Sequence, residues 1–127
     1  MALACPFCRE NRAKEEPIVL ANGSCYFLNS ADPVLRCSGM IIPFRHVTTP
    51  FELTVEEWSD TFDLLAGAKV YLDKAKPHGY NIGWNVGEMG GQTVQHVRLH
   101  IIGRFADEPL AGHGIRHHLK QASNRRP

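Results

Sequence analysis

Gly90-Gly91-Gln92-Thr93-Val94-Gln95-His96-Val97-Arg98-Leu99-His100-Ile101-Ile102 joins a glycine-rich turn to a run in which polar and apolar residues alternate. Side chains on a strand change face at every residue. The spacing therefore predicts a strand over 96–102 with His96, Arg98 and His100 on one face and Val97, Leu99 and Ile101 on the other. A permissive turn beside three nitrogen-bearing side chains suits an anion, above all a phosphate.

At 127 residues the chain fits one domain, expected over 1–115, with a basic tail over 116–127. A net charge of +1 argues against a surface that captures nucleic acid or membrane by charge alone. No apolar run reaches the length of a membrane span. The first eight residues lack the basic start and apolar stretch of a secretory signal, so a cytoplasmic location is the expectation. In that compartment the four cysteines point to thiols or metal rather than disulfides. Cys5 and Cys8 have the spacing of a metal knuckle. Cys25 and Cys37 lie in apolar surroundings and read as small buried hydrophobes.

A short helical turn is expected after Cys8, through Ala13. Two β-rich runs, 17–20 and 25–28, flank Asn22-Gly23, a strong hairpin signal. Met40-Ile41-Ile42 reads as a buried strand stopped by Pro43. Thr54 and Glu57 form a capping box, opening a helix over 55–75 that ends before Pro77. Val55, Trp58, Phe62 and Leu65 mark its expected buried stripe, which Lys69 interrupts and Leu72 resumes, against the core or another subunit. A strand over 79–86 precedes the turn, and 104–114 reads as loop. Ile115 and Leu119 are the plausible anchors of the tail, while His78, His117 and His118 read as surface residues. Three strands, a long helix and two strands make an α+β fold with a mainly antiparallel sheet.

These segments resemble the histidine triad (HIT) superfamily, in its zinc-containing, bacterial-type branch. The resemblance rests on Met40-Ile41-Ile42-Pro43-Phe44-Arg45-His46, on Asn85-Val86-Gly87, on Gly90-Gly91-Gln92-Thr93-Val94 and on the HVRLH strand with Ile101-Ile102, with Arg104 and 112–116 beyond it. It implies a five-stranded antiparallel sheet, one long helix and a short N-terminal helix, paired into a homodimer. It also implies nucleotide hydrolase or phosphoramidase chemistry, in which a nucleoside monophosphate leaves a phosphoester, phosphoanhydride or phosphoramidate. The middle triad histidine of the family attacks phosphorus. Here that position is Arg98, whose guanidinium has no free lone pair but binds phosphate well. Three accounts fit: a binding protein on an enzyme scaffold, an engineered variant with a disabled centre, or recruitment of His100 or His113 as a base for direct water attack.

By the same resemblance a purine nucleotide would meet Asn85, Gly91, Gln92, Thr93, Arg98 and His100. A structural Zn2+ would take Cys5, Cys8, His46 and His96. Base and ribose would lie against the early strands, with Phe27 and Ile42 as base walls or core. Two positions depart from the family: Ser30, near Asn29 and Asp32, stands where an acid often binds ribose, and Cys37-Ser38 where Gly-His is common.

Overall fold

The computed structural model describes residues 5–11 and 18–127. Ala13 and Pro17, which bound two of the predicted segments, lie outside the described residues. Five strands, β1 (Leu20–Ala21), β2 (Cys25–Asn29), β3 (Ser38–Pro43), β4 (Gly79–Trp84) and β5 (Leu99–Arg104), form one antiparallel sheet in the order β1-β2-β3-β5-β4. A long helix, α1 (Val55–Leu72), lies across one face, and a four-residue helix, α2 (Arg116–Leu119), follows β5. A 3-10 turn, Arg9–Asn11, follows Cys8 where a short N-terminal helix is expected. The α+β fold of the sequence reading is therefore the fold observed. Among the described residues no helix is long and apolar enough to cross a membrane.

Local chemistry explains the joints. Asn22 Oδ1 accepts the backbone N–H groups of Ser24 and Cys25, and its Nδ2 donates to the Asp60 carbonyl, so the β1–β2 hairpin is tied to α1. The capping box is complete: Glu57 N–H donates to Thr54 Oγ1 and Thr54 N–H to Glu57 Oε1. A 3-10 turn, Asp73–Ala75, prolongs α1 to the predicted end before Pro77.

The core lies between α1 and the sheet, where Cys25, Phe27, Ile41, Leu64, Leu99 and Ile101 are buried. Cys37 joins them, and both inner cysteines are free, as expected. Gly39 is required there, because a Cβ would collide with the Leu28 carbonyl and the Phe27 ring. On the opposite face Tyr26, Leu28 and Ile42 pack with Phe7, Met40 and Phe44 under the N-terminal segment.

Two expectations need correction. The buried stripe of α1 is Glu57, Thr61, Leu64, Ala68 and Leu72, while Val55 is 87% and Phe62 71% exposed. Trp58 is also exposed and Leu65 only half-buried. Small Ala68 and Thr61, whose hydroxyl bonds the Glu57 carbonyl, let the helix approach the sheet, and Glu57 is buried because its carboxylate is fully engaged. The last strand starts at Leu99, so His96, Val97 and Arg98 lead into it rather than lie within it. β3 ends at Pro43, which lacks an N–H, and Val97 N–H bonds the Val47 carbonyl instead of a strand. β4 likewise ends at Trp84, short of Val86.

Glu57 links helix start and loop, because Arg45 Nε and Nη2 reach its two oxygens at 3.1 and 2.7 Å. The Arg45 bond, with the Thr54 amide, holds this carboxyl below its usual pKa range. Stability gained from the charge is thus present above the unfolded value and is lost as pH falls through the depressed folded value. Glu57→Gln is expected to lower stability at neutral pH by about 1–2 kcal/mol and to flatten the decline between about pH 5 and pH 3. Urea unfolding across that range checks it; parallel curves for both chains would contradict the assignment.

Candidate functional site

The N-terminal knuckle is a tight turn. Cys8 N–H donates to the Cys5 carbonyl, and Asn11 Nδ2 donates to the same oxygen at 2.8 Å. It sets two sulfurs against two imidazoles. Cys8 Sγ lies 3.2 Å from His46 Nδ1 and 3.8 Å from His96 Nδ1, and Cys5 Sγ lies 3.4 Å from His96 Nδ1. The four donor atoms fall within 4.8 Å of one another.

His96 supplies the test of fit. It is wholly buried, and its Nε2 lies 2.8 Å from the Pro43 carbonyl. A carbonyl only accepts, so Nε2 carries the hydrogen and Nδ1 turns its lone pair to the sulfurs. Burial pushes the His96 pKa down, which favours that neutral form. Burial and the neighbouring Cys5 push the Cys8 thiol up to about 11, the direction a bound cation reverses. Separations of 3.2–3.8 Å match the edges of a tetrahedron of two sulfurs and two nitrogens about one ion. Cys5, Cys8, His46 and His96 could therefore hold a metal ion. The Arg45–Glu57 pairing anchors the loop that carries His46.

The glycine turn is built from within. Gly87 and Gly91 take φ of 74° and 95°, in the left-handed region. The N–H groups of Gly90 and Gln92 donate to the Gly87 carbonyl, and that of Gly91 to the Glu88 carbonyl. Gln92 Oε1 accepts the Gly87 N–H at 2.9 Å, and its Nε2 donates to the Thr48 carbonyl at 2.7 Å. Gln92 is 5% exposed. Its amide thus builds the turn, a role the motif alone does not reveal, and the Gly91 and Gln92 N–H groups are engaged inside it. Asn85 packs beside Gly91 and Thr93 is exposed.

His100 stands on the sheet face opposite α1, and Arg98 precedes it on the segment that leads into β5. The register there aligns Leu28, Met40, His100 and Gly83 across four strands. Gly83 has no side chain, which leaves a hollow of about 220 Å³ lined by Asn81, Asn85, His100 and Ile115. His100 is half-buried, and burial, reinforced by the Arg98 charge, pushes its pKa down, which favours the neutral form. Arg98 is half-buried and rests 4.7 Å over the Phe7 ring. Burial lowers its pKa too, but a guanidinium keeps its charge. Among the described residues it has no hydrogen bond and no acidic partner. Phe7 beneath Arg98 is a neighbour the sequence does not announce, since they are far apart in the chain and on different elements.

The remaining candidates fall elsewhere. His113 lines a separate hollow of about 310 Å³ with His78, Asn81 and Arg104. Its ring stacks on His117 at 3.7 Å, and its carbonyl accepts from Arg104. Phe27 and Ile42 are both 0% exposed, so they are core and not base walls. Asp32 accepts the N–H groups of Val34 and Leu35, and Ser30 Oγ accepts that of Asp32. Contrary to expectation, Ile115 and Leu119 are both exposed and neither anchors the tail by burial, although the Ile115 side chain reaches over Gly83.

Comparison with known proteins agrees with this geometry. A HIT domain pattern matches residues 11–107. An adenosine 5'-monophosphoramidase of Schizosaccharomyces pombe is 30% identical over 114 residues, covering 88% of this chain and 83% of that protein. An AP-4-A phosphorylase of Mycobacterium tuberculosis is 29% identical over 74% of this chain, which spans only 50% of that longer relative. Among solved structures, a hypothetical protein from Leishmania major superposes with a TM-score of 0.73 at 27% identity, covering 85% of this chain and 78% of that one. A HIT family member from Bacillus subtilis gives 0.70 at 26% identity, covering 81% and 74%. With the matched pattern spanning most of its length and the same sheet and helix beneath it, the chain belongs to the HIT domain family.

Proposed function

We propose that this chain binds a purine nucleotide through its phosphate, on the scaffold of a nucleotide hydrolase or phosphoramidase. One observation carries the reading: Arg98 is a half-buried cation with no acceptor among the described residues, two positions before His100, which lines a hollow. A desolvated guanidinium without an anion leaves its strongest interactions unmade. A phosphate between Arg98 and His100 supplies them. Asn85, which lines the hollow, and exposed Thr93 would add side-chain donors, and Gly91 and Gln92 would hold the turn between them. The base would lie toward half-buried Met40, since Phe27, Leu28 and Ile42 are sealed in the core. Similarity to an adenosine 5'-monophosphoramidase and an AP-4-A phosphorylase supports an adenine nucleotide.

Catalysis is impaired in this reading. Arg98 stands where the family has its nucleophilic histidine, and a guanidinium offers no lone pair for attack on phosphorus. His100 is the base left beside the hollow, and His113 lines the other one. The alternative, a catalytically inactive nucleotide-binding or interaction module, is favoured by the same arginine, which strengthens phosphate binding while it removes the nucleophile. Calorimetry with AMP tests binding. Arg98→Gln is expected to weaken AMP about tenfold to a hundredfold, and Arg98→His to raise turnover of an adenosine phosphoramidate at least about a hundredfold. No heat and no melting shift at millimolar AMP overturns the nucleotide assignment.

The metal we assign to Cys5, Cys8, His46 and His96 is a structural Zn2+. Two thiolates and two imidazoles suit zinc, and four protein ligands leave no coordination position for a reacting water. Thiols kept reduced for this purpose fit the cytoplasm. Elemental analysis is expected to find about one zinc per chain. Cys5→Ser should lose it and melt several degrees lower; an unchanged melting point with no zinc in the native chain refutes the site.

The homodimer is assigned to the exposed apolar face of α1 and the free edge of β4. Val55, Trp58, Phe62 and Ile82 lie open there, and a hollow of about 260 Å³ runs between Phe62, Leu65 and Tyr80. The apolar residues expected to face the core thus form the surface a second copy would cover. Phe62→Asp is expected to convert a dimer into a monomer in sedimentation analysis; a native chain that sediments as a monomer at high micromolar concentration removes this interface.

A further inference from the structure

Arg98 is held from below by a ring that belongs to the metal knuckle. Phe7 lies between Cys5 and Cys8, and the Arg98 guanidinium carbon sits 4.7 Å above its ring centroid. That separation is within the range of a cation–π contact. Three contacts hold Phe7, one at its backbone and two at its side chain. The Tyr26 hydroxyl donates to the Phe7 carbonyl. The side chain packs against the buried cluster of Tyr26, Leu28 and Ile42. Its edge faces the His96 ring, with centroids 6.4 Å apart and planes at 65°. His96 and the flanking cysteines are the proposed metal ligands, so the ring stands on the turn that the metal would lock.

This contact has a consequence for the anion. A guanidinium on a three-carbon stem loses rotamer freedom when it binds, and a preset orientation reduces that cost. No carboxylate among the described residues competes for Arg98. The aromatic face orients the cation by its π electrons and leaves all five N–H donors free for phosphate oxygens.

We propose that Phe7 is a positioning residue for Arg98, and that through it the metal knuckle and the anion site are energetically coupled. This rests on the nucleotide reading above. Coupling between two binding sites is reciprocal. Metal occupancy that steadies Phe7 raises anion affinity, and a bound anion slows metal loss by the same linkage.

The test uses the zinc-loaded full chain, with AMP as probe. Phe7→Leu is expected to weaken AMP about threefold to thirtyfold, and Phe7→Trp to restore it to within about twofold. In an Arg98→Gln background Phe7→Leu should cost nothing further, which a general loss of structure would not reproduce. Saturating AMP should slow transfer of zinc to a chromogenic chelator in the native and Phe7→Trp chains and leave Phe7→Leu unaffected. Zinc release indifferent to AMP in the native chain, or an equal AMP loss with and without Arg98, overturns the proposal. If Phe7→Leu does not fold, the native chain and Phe7→Trp decide by the same release rates. If the native chain binds no AMP, the nucleotide reading falls, and order at the Arg98 Nε–H, measured by NMR relaxation in native and Phe7→Leu chains, decides the platform separately. An Nε–H equally ordered in both removes it.

Discussion

The hydrogen bond between His96 and the Pro43 carbonyl is the constraint on which the rest of the site depends. It joins the segment leading into the last strand to the end of the third strand, at the point where Pro43 stops the sheet. It also sets the tautomer, because a carbonyl requires the hydrogen on Nε2 and leaves Nδ1 free. That nitrogen meets both sulfurs of the knuckle. A buried imidazole with either nitrogen unpaired would be costly, so His96 is held at both ends or not at all.

Two kinds of polar group follow from this anchor. Those that are satisfied build the scaffold: Glu57 between Arg45 and the Thr54 amide, Gln92 between Gly87 and Thr48, Arg104 among Glu108, Asn81 and loop carbonyls. Those left over mark the opening. Arg98 has an aromatic ring beneath it but no acceptor, and His100 has neighbours but no bonded partner among the described residues. The scaffold groups resemble binding groups in sequence, and only their partners distinguish them.

Most of the fold is legible in the sequence. Asn22-Gly23, Pro43, the Thr54–Glu57 box and Pro77 are local signals whose physics acts over a few residues, and each marks a boundary where it was expected. The face of α1 was not legible. Its large apolar residues fall on more than one side, and which side meets the sheet depended on how closely Thr61 and Ala68 let the backbones approach. The start of β5 departs from the alternation for a similar reason. Alternation continues through His96 and Arg98, but a strand needs a paired neighbour, and Pro43 withdraws it.

The sequence by itself determined which chemistry this chain can carry. Two cysteines at knuckle spacing, a glycine turn and a triad with an arginine at its centre are matters of residue type and spacing. Tertiary structure alone decided how these groups are used. It brought residues 5 and 8 to residues 46 and 96, committed Gln92 to the turn, and separated His113 from the hollow of His100. It also placed the Phe7 ring under Arg98. The reason is that hydrogen-bond satisfaction and burial belong to contacts between distant segments, and no local pattern records which partner a polar group will find.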